Sequence, residues 1–407
     1  MSWSTSPATA APSCPARTAP ETAETYRTTH VRRPALHRAV GHDRVAVYLC
    51  RIPANSTGFD GSRQHTASDQ DFADLANAQV APYFAAVSGG SYTVEFVANG
   101  TIQAARDDRE SDCIDDALAR TGASFTNALV ADSTLAGGGY ASPGWIYTSD
   151  SGPDFDVFER PPLEARRGGW VGGAVISERP SPGTIVHEMG HTLHWPHSYV
   201  GPNDEYDNPV DVMSSGFGFC QIETLSYPCD PGSTLAFNRF AAGWLRNGQV
   251  IAHTTGTVNY VLDRPTASGL QLIVAPAAGD RQQSALTLEA RPAVGDDDFI
   301  VSEGVALHVV DQVRRYGSLG GLSTARIQRQ AVGPGGSYDH VLAVGDTATV
   351  HGLTITVLRR VEDRFELRVA GTYTPPGDAF FTESLDARPL TCATLDATGA
   401  LAAGCLL

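Results

Sequence analysis

The chain has 407 residues, 42% of them hydrophobic and 18% charged, with a formal net charge of −16. That length allows two domains and a sizeable core, and the composition suits a folded globular protein. So acidic a chain argues against nucleic acid or an anionic membrane as a partner, and no segment approaches the apolar length of a membrane-spanning helix.

Residues 1–40 are rich in Pro, Ala, Thr and Ser without periodicity, and read as a disordered leader or part of a propeptide. They hold no apolar run long enough for a secretory signal. Order begins at Arg44–Cys50, RVAVYLC, an apolar run of strand length. Asp71–Val87 carries Phe72, Leu75, Ala76, Val80, Phe84 and Val87 at helical spacing, and the Ser88–Ser91 SGGS run ends it. Tyr92–Val97 alternates as a strand, and Asp112–Arg120 reads as a second helix with Ile114 and Leu118 as its apolar stripe. The Gly-rich Ala136–Gly144 is expected to be a loop; it lacks the Gly-Lys-Ser/Thr ending of a phosphate cradle. Gly172–Ser177 is expected to be a strand leading into the next helix.

That helix, Gly183–Leu193, organises the chain. Ser181 suits its N-cap and Pro182 its first turn, while Ile185, Val186, Met189 and Leu193 can face a core. His187 and His191 lie four apart, so both imidazoles can aim at one point, with Glu188 beside them as a candidate general base. A catalytic zinc site needs a third protein ligand and an open position. His194 and His197 are the candidates. Three ligands strung along one side of a rod surround a tetrahedral ion poorly, and Pro196 biases Trp195 out of helical geometry. A chain that turns there can return His197 from another direction, so His187, His191 and His197 are the expected ligands.

The following Gly201–Asp211 carries Asp204, Glu205, Asp207 and Asp211. It reads as a solvated acidic loop, with a Ca2+ site of hard oxygen ligands as the alternative. Met213 follows in DVMS, notable in a chain with 3 methionines.

HExxHxxHxxH followed by DVMS resembles the metzincin clan of zinc peptidases, whose signature is HExxHxxGxxH and then a Met-containing turn beneath the metal. The run Glu205–Met213 is similar to that of the gametolysin-type branch and its bacterial relatives. The resemblance implies that His187, His191 and His197 bind Zn2+, that Glu188 is the general base and that Met213 is the Met-turn residue. It also implies secretion and a protein or peptide substrate. His194 stands where the family has Gly, and Ser215 where some metzincins place a Tyr that can reach the metal.

Thr234–Leu245 reads as a helix bearing Leu235, Phe237, Phe240, Ala241 and Trp244. From Val250 the pattern becomes short alternating strands: 258–262, 270–275, 285–290, 305–310, 348–350, 353–358 and 365–369, spaced as in a sandwich or barrel. Asp296–Asp298 reads as an exposed turn. Of the 7 cysteines, Cys220 with Cys229 and Cys392 with Cys405 could close short loops, and Cys50 with Cys113 makes a third pair, leaving Cys14. Disulfides imply an oxidising compartment.

The expected fold class is α+β. A metzincin-like catalytic domain over 41–248, with a twisted mixed sheet and an active-site helix, precedes a β-sandwich-like domain over 249–371 and a tail over 372–407. The expected function is that of a monomeric, secreted zinc endopeptidase using a metal-activated water. The alternative is a catalytically inactive metzincin-like module that binds through its β domain.

Overall fold

The computed structural model describes residues 40–51, 67–103, 113–132 except 114, 115, 118 and 123, 139–142, 167–172, 182–198 except 194 and 196, 208–214, 231–277 except 247, 284–311 except 299, 301 and 302, 327–330 and 341–375. Residues 1–39, the tail beyond 375, the strand expected at Gly172–Ser177 apart from Gly172, Ser181, His194, most of the acidic loop, and Cys14, Cys220, Cys229, Cys392 and Cys405 lie outside these residues. The class is α+β: three sheets and a few short helices.

The first sheet has the order β2-β1-β3-β5-β4, from β1 (Gly41–Arg51), β2 (Tyr92–Gln103), β3 (Asn127–Asp132), β4 (Gly139–Ser142) and β5 (Arg167–Gly172). The β1–β2, β1–β3 and β3–β5 pairs are parallel, and β4 closes the edge antiparallel to β5. The expected loop at 136–144 is therefore wrong at 139–142. Gly139 is tolerated because an edge strand needs only backbone pairing along one side. The run Val45–Cys50 is buried throughout. Val45, Val47 and Leu49 enter the main core, while Ala46, Tyr48 and Cys50 enter a smaller one on the opposite face. A strand covered on both sides reads as a continuous apolar run rather than an alternation.

Over the main core lie α1 (Asp69–Leu75) and α2 (Ala81–Val87), joined by a π-helical turn, Ala76–Val80. Ser68 and Asp71 form a reciprocal capping box at the start. The single helix expected over 71–87 is thus interrupted. Pro82 sits in the first turn of α2, and its ring would clash with a carbonyl four residues back in an unbroken α-helix; the wider turn just before it accommodates the ring. Gly89 and Gly90, with φ of 59° and 76°, end the segment as the SGGS run suggests. On the other face Cys113, Asp116–Ala117 and Ala119–Arg120 are helical, and a Cys50–Cys113 disulfide with Cα atoms 6.0 Å apart ties that segment to β1.

The metal-candidate helix is α3 (Pro182–Thr192), and α4 (Ala236–Ala242) ends on Gly243 at φ 89°. The second sheet has the order β11-β10-β9-β8-β6, built from β6 (Val250–Ala252), β8 (Leu272–Pro276), β9 (Ser284–Arg291), β10 (Gly304–Asp311) and β11 (Ile327–Gln330). The third has the order β12-β13-β14-β7, from β7 (Thr257–Leu262), β12 (Thr347–Val350), β13 (Leu353–Val361) and β14 (Arg364–Gly371). One apolar core takes Leu286, Leu288, Leu307 and Val309 from the second sheet and Ile355, Val357, Leu367 and Val369 from the third. This is sheet-on-sheet packing.

The outer face of the second sheet is not open to water. Phe237, Phe240 and Ala241 of α4 pack on Leu272, Val274, Ala285 and Val310. Val210 and Leu235 pack on Ala306 and Val341. Polar ties cross the same boundary: Glu289 accepts the Ala236 N–H at 2.8 Å, and Asp297 accepts the Ser233 N–H at 3.0 Å. Asp297 is also paired with Arg291 at 2.9 Å and is buried. The exposed turn expected at Asp296–Asp298 is therefore wrong for Asp297, whose charge is held by a buried guanidinium. No described helix is long and apolar enough to cross a membrane.

Candidate metal centre

α3 lays Ile185, Val186 and Met189 into the main core, which fixes its rotation. That rotation turns His187 and His191 to a common side, as their spacing of four requires. The helix ends at Thr192, and the Trp195 N–H reaches back to the Gly190 carbonyl at 3.0 Å. This six-to-one closure is a standard way of satisfying terminal carbonyls while turning the chain sharply. Beyond it Trp195 is buried against Phe84 and Trp244, anchoring the loop that brings His197 back over the helix.

The three histidines meet. His197 Nε2 lies 3.1 Å from His187 Nε2 and 3.0 Å from His191 Nε2. One nitrogen from each ring falls within 4.8 Å of the others, the one such cluster among the described residues. His187 Nδ1 lies 2.8 Å from the Val212 carbonyl, and His191 Nδ1 lies 2.8 Å from the Trp195 carbonyl. A carbonyl only accepts, so each Nδ1 carries the proton and each Nε2 keeps a lone pair aimed at the centre. Neutral imidazoles with their second nitrogen held by a carbonyl are what metal-binding histidines require.

Spacing gives a second test of fit. Ligand nitrogens about 2.0–2.1 Å from a tetrahedral zinc sit roughly 3.3 Å apart. The observed separations are a few tenths of an ångström shorter, within the adjustment two rings can make. Without a cation the converging lone pairs repel. Burial lowers the His187 pKa to about 3 and the His191 pKa to about 4, and lowers that of His197 well below the usual imidazole value, with the neighbouring rings adding to the effect at His187 and His197. All three rings are therefore neutral at pH 7, the form that binds metal.

Glu188 is buried, and its Oε2 has no hydrogen-bond partner among the described residues. Desolvation holds its carboxyl well above the ordinary carboxylate range. An orphaned carboxylate oxygen at the start of this constellation costs stability unless something else engages it.

Met213 lies in a turn, is buried, and sits against Gly190 of the helix. Its place depends on Gly190, one of the two unspecified positions of HExxH. A Cβ built on Gly190 would overlap Met213 Sδ and lie 2.8 Å from Trp195 Cε3. The signal was available: a glycine inside a helix costs up to about 1 kcal/mol relative to alanine and usually marks close packing.

Asp211 departs from the solvated reading. It is buried, accepts the Met213 N–H and the Thr234 hydroxyl at 3.2 Å each, and shapes the turn. Asp204, Glu205 and Asp207, its partners in the Ca2+ alternative, lie outside the described residues, as do His194 and Ser215. No family model matches the sequence, and no curated protein matches it either.

Proposed function

We propose that this chain is a zinc-dependent endopeptidase of metzincin type, secreted, acting on protein or peptide substrates. The observation that carries the proposal is the convergence of His187, His191 and His197 beside a buried Glu188 whose Oε2 is unengaged among the described residues. Three neutral imidazoles select a borderline-soft divalent ion such as zinc over hard cations, which prefer oxygen. The Cys50–Cys113 disulfide supports an oxidising compartment and hence secretion.

His187, His191 and His197 would hold the zinc, which would supply Lewis acidity toward a water and the scissile carbonyl. The chain supplies the proton relay. Glu188 takes a proton as the water attacks and returns it to the departing amine. Its burial suits that task, because a desolvated carboxylate binds a proton more readily than one in water. The Val212 and Trp195 carbonyls keep the His187 and His191 rings oriented through the cycle. No Ser or Cys nucleophile is needed.

The test is cleavage of casein by the purified full chain, with and without a chelator, beside E188A. The expected result is chelator-sensitive cleavage by the parent, and a variant that retains zinc with kcat about 10²–10⁴-fold lower. E188A cleaving casein at the parental rate would overturn the mechanism. A zinc-loaded parent with no cleavage would favour the binding module over the enzyme.

A further inference from the structure

We propose that His308, on β10 of the sandwich, is a positioning residue for the histidine centre, acting through Asn208 and Ser198; the proposal rests on the metal-binding reading above. His197 is the ligand that lies off the helix, so its position depends on what holds its loop. Ser198 follows it directly. The Ser198 hydroxyl accepts from Asn208 Nδ2 at 3.0 Å and hydrogen-bonds the Asp211 carboxylate. Asn208 Nδ2 also lies 3.0 Å from His308 Nε2, and Asn208 Oδ1 accepts the Val210 N–H at 3.2 Å.

These contacts fix the chemistry of each member. An amide nitrogen has two hydrogens to give, and here one goes to Ser198 and one to His308. His308 Nε2 must therefore be the acceptor, on a neutral ring. The Asn208 backbone N–H goes to Ser214 Oγ at 3.0 Å. Ser198, Asn208, Asp211, Ser214 and His308 are all 0% exposed, so the network is closed off from bulk solvent.

The network joins two parts of the centre. At one end is the loop carrying His197. At the other is the turn of Val212 and Met213, whose carbonyl at Val212 orients His187. His308 is the member supplied from a distance, 100 residues along the chain from Asn208. Its strand is interior to the second sheet, paired with β9 and β11, and Thr287 donates to its carbonyl at 3.2 Å. It is thus a rigid anchor outside the helix-and-turn unit. The sandwich, in this account, completes the metal site rather than serving only as an appended module. Groups beyond the ligands fix metal geometry in this way, and losing one lowers affinity about 10–100-fold.

The experiment is zinc competition against a chromophoric chelator on the full chain, with thermal unfolding recorded for every variant. H308L, which removes the acceptor at similar volume, should weaken zinc binding about 10–100-fold. H308Q, which can present an oxygen near the same place, should stay within about 2-fold of the parent. S198A should lose affinity as H308L does, and the double variant should lose no more than the larger single loss, because both cut one chain. Folded H308L with parental affinity, H308Q as weak as H308L, or single losses that multiply would each overturn the assignment. Should H308L not fold, S198A decides: an about 10-fold loss supports the assignment and parental affinity refutes it. A parent that binds no zinc would instead sink the reading on which the assignment rests.

Discussion

Replacing Gly190 by alanine probes how the helix and the turn are locked together. The new methyl would overlap Met213 Sδ and sit 2.8 Å from Trp195 Cε3, at least about 0.7 Å inside ordinary carbon contact. Both neighbours are buried, Met213 at 0% and Trp195 at 1%, so neither can swing into solvent. Forcing a methyl into a closed core costs typically 1–3 kcal/mol, and two contacts place G190A toward the upper end. Better helix propensity returns up to about 1 kcal/mol. The net is a loss of about 1–2 kcal/mol, or roughly 2–8 °C in Tm for a unit of this size. Zinc affinity should fall as well, because the displaced side chains belong to the segments whose carbonyls hold His187 and His191. Thermal unfolding and chelator competition read the two effects. M213A removes one of the clashing groups, so G190A should cost less in that background. G190A more stable than the parent, with unchanged zinc affinity, would refute the packing argument.

H197A should lose metal while remaining folded, whereas H194G should keep it; metal analysis showing the reverse would transfer the third-ligand role to His194. R291M strips the buried partner from Glu289 and Asp297, which lie 3.2 and 2.9 Å from the guanidinium, and should cost about 3–5 kcal/mol in urea unfolding. Stability within about 0.5 kcal/mol of the parent would show that the two carboxylates find other partners. Metal-free protein should weaken on acidification. The His187 pKa is about 3 in the fold against 6.5 unfolded, so between these values the unfolded chain binds more protons and stability falls as pH falls. At pH 5 this one residue lowers stability by about 2 kcal/mol relative to pH 8. Flat chelator-treated melting curves from pH 8 to 5 would contradict that.

Much of the architecture was legible because it rests on local patterns. RVAVYLC, the strands after Val250 and the apolar stripe of α3 each obey a short period that burial enforces. The convergence of the three histidines was legible for a similar reason, since His187 and His191 are related by helical geometry and Pro196 limits how far the helix can run. The π turn before Pro82, strand β4 around Gly139 and strand β3 (NALVAD) were missed. Their residues are small or carry turn propensity, and their state is decided by strands that lie elsewhere in the chain. Charge misled more. Asp211 and Asp297 sit in acidic runs that resemble solvated loops, yet each is buried because a partner lies outside its run: Thr234, 23 residues on, for the first, and for the second the Ser233 N–H, 64 residues back, with Arg291 six residues before it. The link from Asn208 to His308 spans 100 residues and has no local signature.

Metal analysis of the purified full chain, combined with X-ray absorption at the zinc edge, decides whether three imidazoles bind one divalent ion. One zinc per chain is expected, with three imidazole nitrogens and one oxygen at about 2.0 Å, unchanged in E188A and lost in H187A, H191A and H197A alike. Zinc at far below one equivalent after loading, or a coordination shell that survives those three substitutions, would contradict it.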